Sequence, residues 1–139
     1  MLFRSDGELR ETLQQRVATL NLESRVHFIG EIKSDDVLDL LCIADVFVFP
    51  SLYEAMPMAL VEAMSLGIPI VAGDIPAMRE VLGDAGILVP SESAQEIASA
   101  VRRILDDPDL ASHLRQSAFN RSIQFSVEKM VTSYEKLFK

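Results

Sequence analysis

Residues 45–74, DVFVFPSLYEAMPMALVEAMSLGIPIVAGD, join two short apolar runs through a polar loop and an apolar helix, and that order decides the fold. Val46–Phe49 is β-branched and aromatic and stops at Pro50 and Ser51; Ile68–Ala72 is its twin, so both are predicted to be strands buried on two faces of a parallel sheet. Between them Pro57 suits the first turn of a helix, and Gly67 with Pro69 ends it near Leu66. Met58, Leu60, Val61, Met64 and Leu66 spread apolar surface over nearly every face of that helix, and Glu62 is its one charge. A carboxylate buried there without partners would cost several kcal/mol, so Glu62 is expected to reach water or to meet hydrogen-bond donors, which a ligand can supply.

Glu54 stands eight positions earlier, in the loop leaving the first strand. Ligands of open α/β sheets bind beyond the carboxyl ends of the strands, where the N-terminus of the following helix offers N–H groups and a positive dipole end to phosphate. Glu54 and Glu62 bracket such a site. With the helix starting at Pro57, Glu62 lies roughly 7 Å further along the axis at ~1.5 Å per residue, and the loop adds more. That spread suits an elongated ligand with hydroxyls at both ends and a phosphate in the middle. It suits less well the carboxylate pair of a retaining glycoside hydrolase, about 5 Å apart.

Phe49-Pro50-Ser51, then Glu54-Ala55-Met56-Pro57-Met58-Ala59-Leu60-Val61-Glu62-Ala63-Met64, then Gly67, Pro69, Ile70 and Val71 resemble the E-x7-E signature of retaining, family-4 type glycosyltransferases with the GT-B fold. The likeness runs on through Val81-Leu82-Gly83-Asp84-Ala85-Gly86-Ile87-Leu88-Val89 and covers most of the chain. It implies a Rossmann-like α/β domain, a parallel sheet flanked by helices, over residues 1–139: the C-terminal, donor-binding domain of such an enzyme, lacking its first strand and helix. In the family the first glutamate, here Glu54, meets donor-sugar hydroxyls and is the residue closest to catalysis. The second, here Glu62, binds the nucleotide ribose. Amides just after the first glutamate, here in Ala55, Met56 and Met58, approach the sugar and diphosphate. The loop Gly30-Glu31-Ile32 would lie against the base through backbone groups. The resemblance calls for no metal and no cofactor beyond the nucleotide-sugar donor. Many members carry glycine where Ala55 stands, and Pro57 has no N–H to give.

The whole chain frames that reading. At 139 residues it has the size of one domain, and 49% hydrophobic content with ordinary charge makes it globular. A net charge of −8 argues against nucleic-acid or anionic-membrane surfaces, which demand clustered Lys and Arg. An anionic nucleotide sugar would therefore rest on local amides and a few bases, with Lys33 and Arg79 as candidates. The single Cys42 excludes an internal disulfide, and no Cys/His cluster suggests a thiolate metal site; a reducing cytoplasm is the simplest fit. No apolar run approaches the roughly 20 residues of a membrane span, and the start lacks a signal-peptide pattern.

Taken in order, Met1–Phe3 reads as the end of a strand, Asp6-Gly7 as a turn, and Glu8–Leu20 as a helix with Leu9, Leu13, Val17 and Leu20 on one stripe. Arg25–Gly30 reads as the next strand. Ser34 caps a helix with Val37, Leu38, Leu40, Leu41 and Ile43 on a broad apolar face, and Asp35 and Asp36 complement its dipole. A short helix from about Asp74 ends near Gly83, and Glu80 in it reads as a solvated helix residue. Gly86–Val89 is the last strand; helices follow at Ala94–Leu105, from Pro108 to about Ile123, and at Val127–Phe138 behind Ser126. The last carries an apolar edge of Met130, Tyr134 and Leu137, which the family turns towards its N-terminal domain and which would otherwise be left sticky.

Other chemistries find less support. His27 and His113 have no partner motif, and Ser51 lacks the glycine elbow and following His of a hydrolase nucleophile. The six methionines read as core filler. Length and a strand followed by Met56-Pro57-Met58 also suit a signalling receiver domain, but Pro50 occupies the place of its phospho-accepting Asp. Two readings remain: the donor-binding part of a glycosyltransferase that moves a sugar to a glycan, lipid or small-molecule acceptor, and a non-catalytic nucleotide-sugar-binding or oligomerising module. In the family's strand order the absent first strand is central, so strands near 1–5 and 26–29 lose the neighbour joining them to the rest. The chain is then expected to pair across the gap or to fill it by self-association.

Overall fold

A computed structural model describes residues 2–3 and 7–138. The chain divides into two compact units, Met1–Asp39 and Leu40–Lys139. In the first, β1 (Leu2–Phe3) and β2 (His27–Phe28) form a parallel pair, Leu2 opposite His27 and Phe3 opposite Phe28, connected through α1 (Arg10–Thr19). Asn21, at φ 53°, turns the chain out of that helix in a conformation Asn tolerates better than most residues. Arg10 Nη2 donates to the Phe28 carbonyl oxygen at 3.3 Å, which ties α1 to the end of β2. Of the predicted stripe, Leu13 and Val17 lie within α1 while Leu9 and Leu20 flank it; no residue of the helix is buried, and Leu9 is 68% exposed. The Asp6 half of the predicted turn lies outside the described residues. So does the side chain of Ser34, the predicted cap of α2 (Ser34–Cys42).

In the second unit β3 (Phe47–Phe49), α3 (Met58–Ser65), β4 (Ile70–Gly73), α4 (Pro76–Leu82) and β5 (Ile87–Val89) alternate as predicted. The strands are parallel in the order β3-β4-β5, with Val48 beside Val71 and Val71 beside Ile87. α5 (Ala94–Asp106) and α6 (Pro108–Ser122) follow, then a 3-10 turn at Ile123–Phe125 and α7 (Val127–Leu137). Ser93 accepts from the Glu96 N–H, Asp107 from those of Asp109 and Leu110, and Ser126 from that of Lys129, so three successive helices start on side-chain caps. The core gathers Val71 and Val89 of the sheet against Ala100, Ile104 and Leu114, while α3 packs on α6. A parallel sheet flanked by helices is the predicted fold class. Among the described residues no helix is long and apolar enough to cross a membrane.

Two expectations need correction. Every residue of β4 is buried, but β3 is not buried on both faces: Val48 is 37% exposed, and among the described residues β3 pairs with one strand, β4, while β4 lies between two. Of the two outcomes expected at the gap, pairing across it is not found among the described residues, whose strands form two sheets, β1-β2 and β3-β4-β5.

α4 ends on an interaction that no local pattern announces. Its last carbonyls have no helical donors of their own, and Arg121 of α6 supplies two: Nε donates to Val81 O and Nη2 to Glu80 O, both at 2.6 Å. Gly83 then leaves the helix at φ 56°, and a Cβ there would come within 2.8 Å of the Arg121 Cζ. Arg121→Ala should lower unfolding free energy by about 1.5–3 kcal/mol, the scale of hydrogen bonds from a charged group. Arg121→Lys should recover only part of this, since an ammonium lacks the planar fork; chemical denaturation of the three proteins measures it, and wild-type stability in Arg121→Ala would refute the cap.

Candidate functional site

The carboxyl ends of β3, β4 and β5 lie side by side, and the loops that leave them carry the polar groups. Register sets Phe49 beside Ala72 and Gly73 beside Val89, so Ser51, Asp74 and Ser91 all emerge at one edge. Ser91 Oγ donates to the Ser51 carbonyl oxygen at 2.9 Å, joining the loop after β5 to the loop after β3 across the end of β4. That crossing is possible because Gly73 has no side chain. A Cβ there would overlap Ser91 Oγ and come within 2.6 Å of the Ser51 oxygen. Ser51 Oγ in turn donates to the Tyr53 carbonyl at 3.1 Å, which shapes the loop just before Glu54.

Glu54 is half-buried in that loop, and Glu62 is exposed on the second turn of α3. Glu62 therefore takes the first of its two predicted alternatives and reaches water, while Leu60, Ala63 and Met64 bury the other side of the helix. No hydrogen bond or ion pair to another described residue holds either carboxylate. Pro57 is buried and stands at the helix N-cap rather than inside the first turn; Met58 is the first helical residue, and no side chain caps the helix. Ala55, Met56 and Met58 are exposed, and the Met58 N–H is already taken by the Met56 carbonyl at 2.9 Å. Gly30, Glu31 and Ile32 belong to the first unit, where Gly30 is buried at φ 69°.

Of the two candidate bases, Lys33 is exposed, and Arg79 is engaged by a partner the sequence reading did not foresee. Its Nε donates to Asp74 Oδ1 at 2.6 Å and its Nη2 to Oδ2 at 2.9 Å, a bidentate pair at the mouth of β4. The Arg79 hydrogen bond, opposed by desolvation and helped by the guanidinium charge, holds the Asp74 carboxyl below the usual aspartate range; the same bond raises Arg79.

The profile of the family described as glycosyl transferases group 1 matches residues 6–121. The chain belongs to that family. A curated relative, the alpha-D-kanosaminyltransferase of Streptomyces kanamyceticus, is 30% identical over 84% of this chain and 31% of its own length. Among solved structures, the sucrose-phosphate synthase of Thermosynechococcus elongatus superposes with a TM-score of 0.84 at 31% identity, over 99% of this chain and 38% of that one. Anabaena HepE in complex with UDP-glucose follows at 0.80 and 25%, over 88% of this chain and 35% of that one. The chain thus spans about a third of the length of the curated relatives it matches, 31% to 36% of the first three. Its fold is that of a GT-B glycosyltransferase domain.

For this group 1 glycosyltransferase chain, the structure brings Glu54, Ala55, Met56, Met58 and Glu62 onto one continuous loop and helix at the carboxyl edge of the sheet. Two features of that edge escaped the sequence reading. The Ser91–Ser51 bond links residues forty apart, and its one local signal is a glycine closing an otherwise apolar strand. The Asp74–Arg79 pair spans five residues with Pro76 between, so helical spacing does not suggest it.

Gly73→Ala should break the Ser91–Ser51 link and cost about 1–3 kcal/mol of stability, the range of overpacking a tight site, measured by urea titration; a variant as stable as the parent would show that the loops tolerate a side chain there. Because the Asp74 carboxyl is depressed, the pair's contribution is full above the ordinary aspartate pKa and is lost as pH falls through the lowered value. An NMR titration should place the Asp74 midpoint below that of aspartate in a model peptide, and Arg79→Gln should move it back.

Proposed function

We propose that this chain is the donor-binding part of a retaining glycosyltransferase, taking a nucleotide sugar at the carboxyl edge of β3–β5. Glu54 orients the sugar through its hydroxyls, Glu62 holds the nucleotide ribose, and the backbone between them, around Ala55, Met56 and Met58, faces the diphosphate. The observation that carries the reading is the pairing of a half-buried Glu54 with a water-exposed Glu62, neither engaged within the described chain, on the loop and helix that leave β3 in a family-matched frame. The complex of the related HepE with UDP-glucose supports a nucleotide-sugar donor.

The diphosphate is the leaving group, and its developing charge calls for fixed dipoles close by. The uncapped start of α3 offers one such dipole. Transfer itself needs the acceptor held against the same sugar carbon, which the family assigns to its N-terminal domain. The 139-residue chain alone is therefore proposed to bind donor without turning it over. Met130, Tyr134 and Leu137 of α7 are 53%, 58% and 77% exposed, which favours a second property, self-association through this edge. The lone Cys42 fits a reducing, cytoplasmic setting.

A thermal-shift screen against UDP-, GDP- and ADP-sugars tests the donor reading, since a ligand that binds only the folded state raises its apparent stability. One of the three should do so, and no shift with any would overturn the reading. With the responding ligand, Glu62→Gln should weaken binding by about 1–3 kcal/mol by calorimetry while leaving the fold intact. Unchanged affinity would remove Glu62 from the ribose.

A further inference from the structure

We propose that Arg79, held side-on by Asp74, presents its outer edge to a phosphoryl group at the mouth of the sheet. The inference rests on the donor reading above and adds to it a side chain that the E-x7-E frame does not contain. In the β3–β4 and β4–β5 connections and in residues 90–93 after β5, the charges are Glu54, Glu62, Asp74, Glu80, Asp84 and Glu92 against one base, Arg79.

The guanidinium has five N–H groups in a rigid plane. Asp74 takes the side-on pair, Nε with one hydrogen of Nη2, at 2.6 and 2.9 Å. The end-on pair, one N–H from each Nη nitrogen, points away from Asp74, and no other described residue accepts from it. That pair is itself a fork of the spacing that binds two phosphoryl oxygens in parallel. Asp74 is in turn anchored, because its own N–H donates to the Val89 carbonyl at 2.8 Å, so the fork is mounted on the sheet rather than on a free side chain. At 60% side-chain exposure the fork is open to a ligand. Its partner Asp74 directly follows the carboxyl end of β4, the edge at which Ser91 meets the Ser51 loop that leads to Glu54.

Phosphoryl oxygens could come from the donor diphosphate or from a phosphorylated sugar acceptor, and the probes separate the two. Wild-type chain and Arg79→Gln are titrated by calorimetry with UDP, GDP and ADP, with the matching uncharged nucleosides, and with glucose 6-phosphate. Melting temperature is followed alongside. If the fork holds the diphosphate, Arg79→Gln weakens the preferred nucleoside diphosphate about tenfold or more and leaves its nucleoside unchanged. If it serves an acceptor phosphate, glucose 6-phosphate weakens by a similar factor and the nucleoside diphosphate does not. Arg79→Lys, charged but without the fork, should fall between wild type and Arg79→Gln. Equal affinity of wild type and Arg79→Gln for every probe overturns the inference and leaves the donor reading standing. Loss of glucose 6-phosphate binding in a chain that takes no nucleotide keeps the fork and removes the donor reading, and a wild-type chain that binds none of the probes removes both.

Discussion

Complete burial of β4 is the constraint on which the second unit depends. Ile70, Val71 and Ala72 are fully covered, with a parallel strand on each side and helices packed over them, so none of their backbone groups has water as an alternative partner. The register is thereby determined from both sides. Because parallel neighbours must be joined by crossovers, every chain segment that leaves a strand does so at the same edge. Glu54, Asp74 and Ser91 come together there as a consequence of strand direction, before any ligand is considered. Gly73 closes the arrangement, since only a residue without Cβ lets the two flanking loops meet over the end of the central strand.

Element type and order were legible because periodicity and punctuation agree: Pro57, Gly67, Ser93, Pro108 and Ser126 stand at or next to the observed boundaries. The family frame was legible for the same reason, since its signature falls on a strand, a loop and a helix that the sequence defines locally. Burial was less so. Val46–Phe49 and Ile68–Ala72 look alike as strings, yet one is an edge strand and the other the buried centre, and the difference lies in neighbours that are far apart in sequence. Arg121 at the end of α4 and Ser91 over Gly73 are likewise decided by contacts across forty residues, to which no local pattern is sensitive.

The two glutamates differ from the other acids of this edge in what surrounds them. Asp74 has a partner that satisfies both its oxygens, so its charge is spent within the chain. Glu54 and Glu62 keep theirs. A carboxylate accepts hydrogen bonds and cannot donate them when ionised, so it selects hydroxyl groups and rejects phosphoryl oxygens. Two such groups separated by more than a helical turn and a loop therefore favour a ligand whose ends are hydroxyl-rich and push any anionic part to the ground between them or to one side.

That ground is where the fold offers positive potential. The start of α3 contributes a dipole end with no side-chain cap, but Pro57 removes one N–H, and the Met58 N–H is already bonded to Met56. An amide cradle of this kind is thinner than one built on glycine, which can fold its N–H groups inward at little steric cost. In a chain of net charge −8, a base brought to the same edge would add to that potential. Arg79 stands there already balanced by Asp74, which takes its side-on edge and leaves the end-on edge of the guanidinium without an acceptor among the described residues.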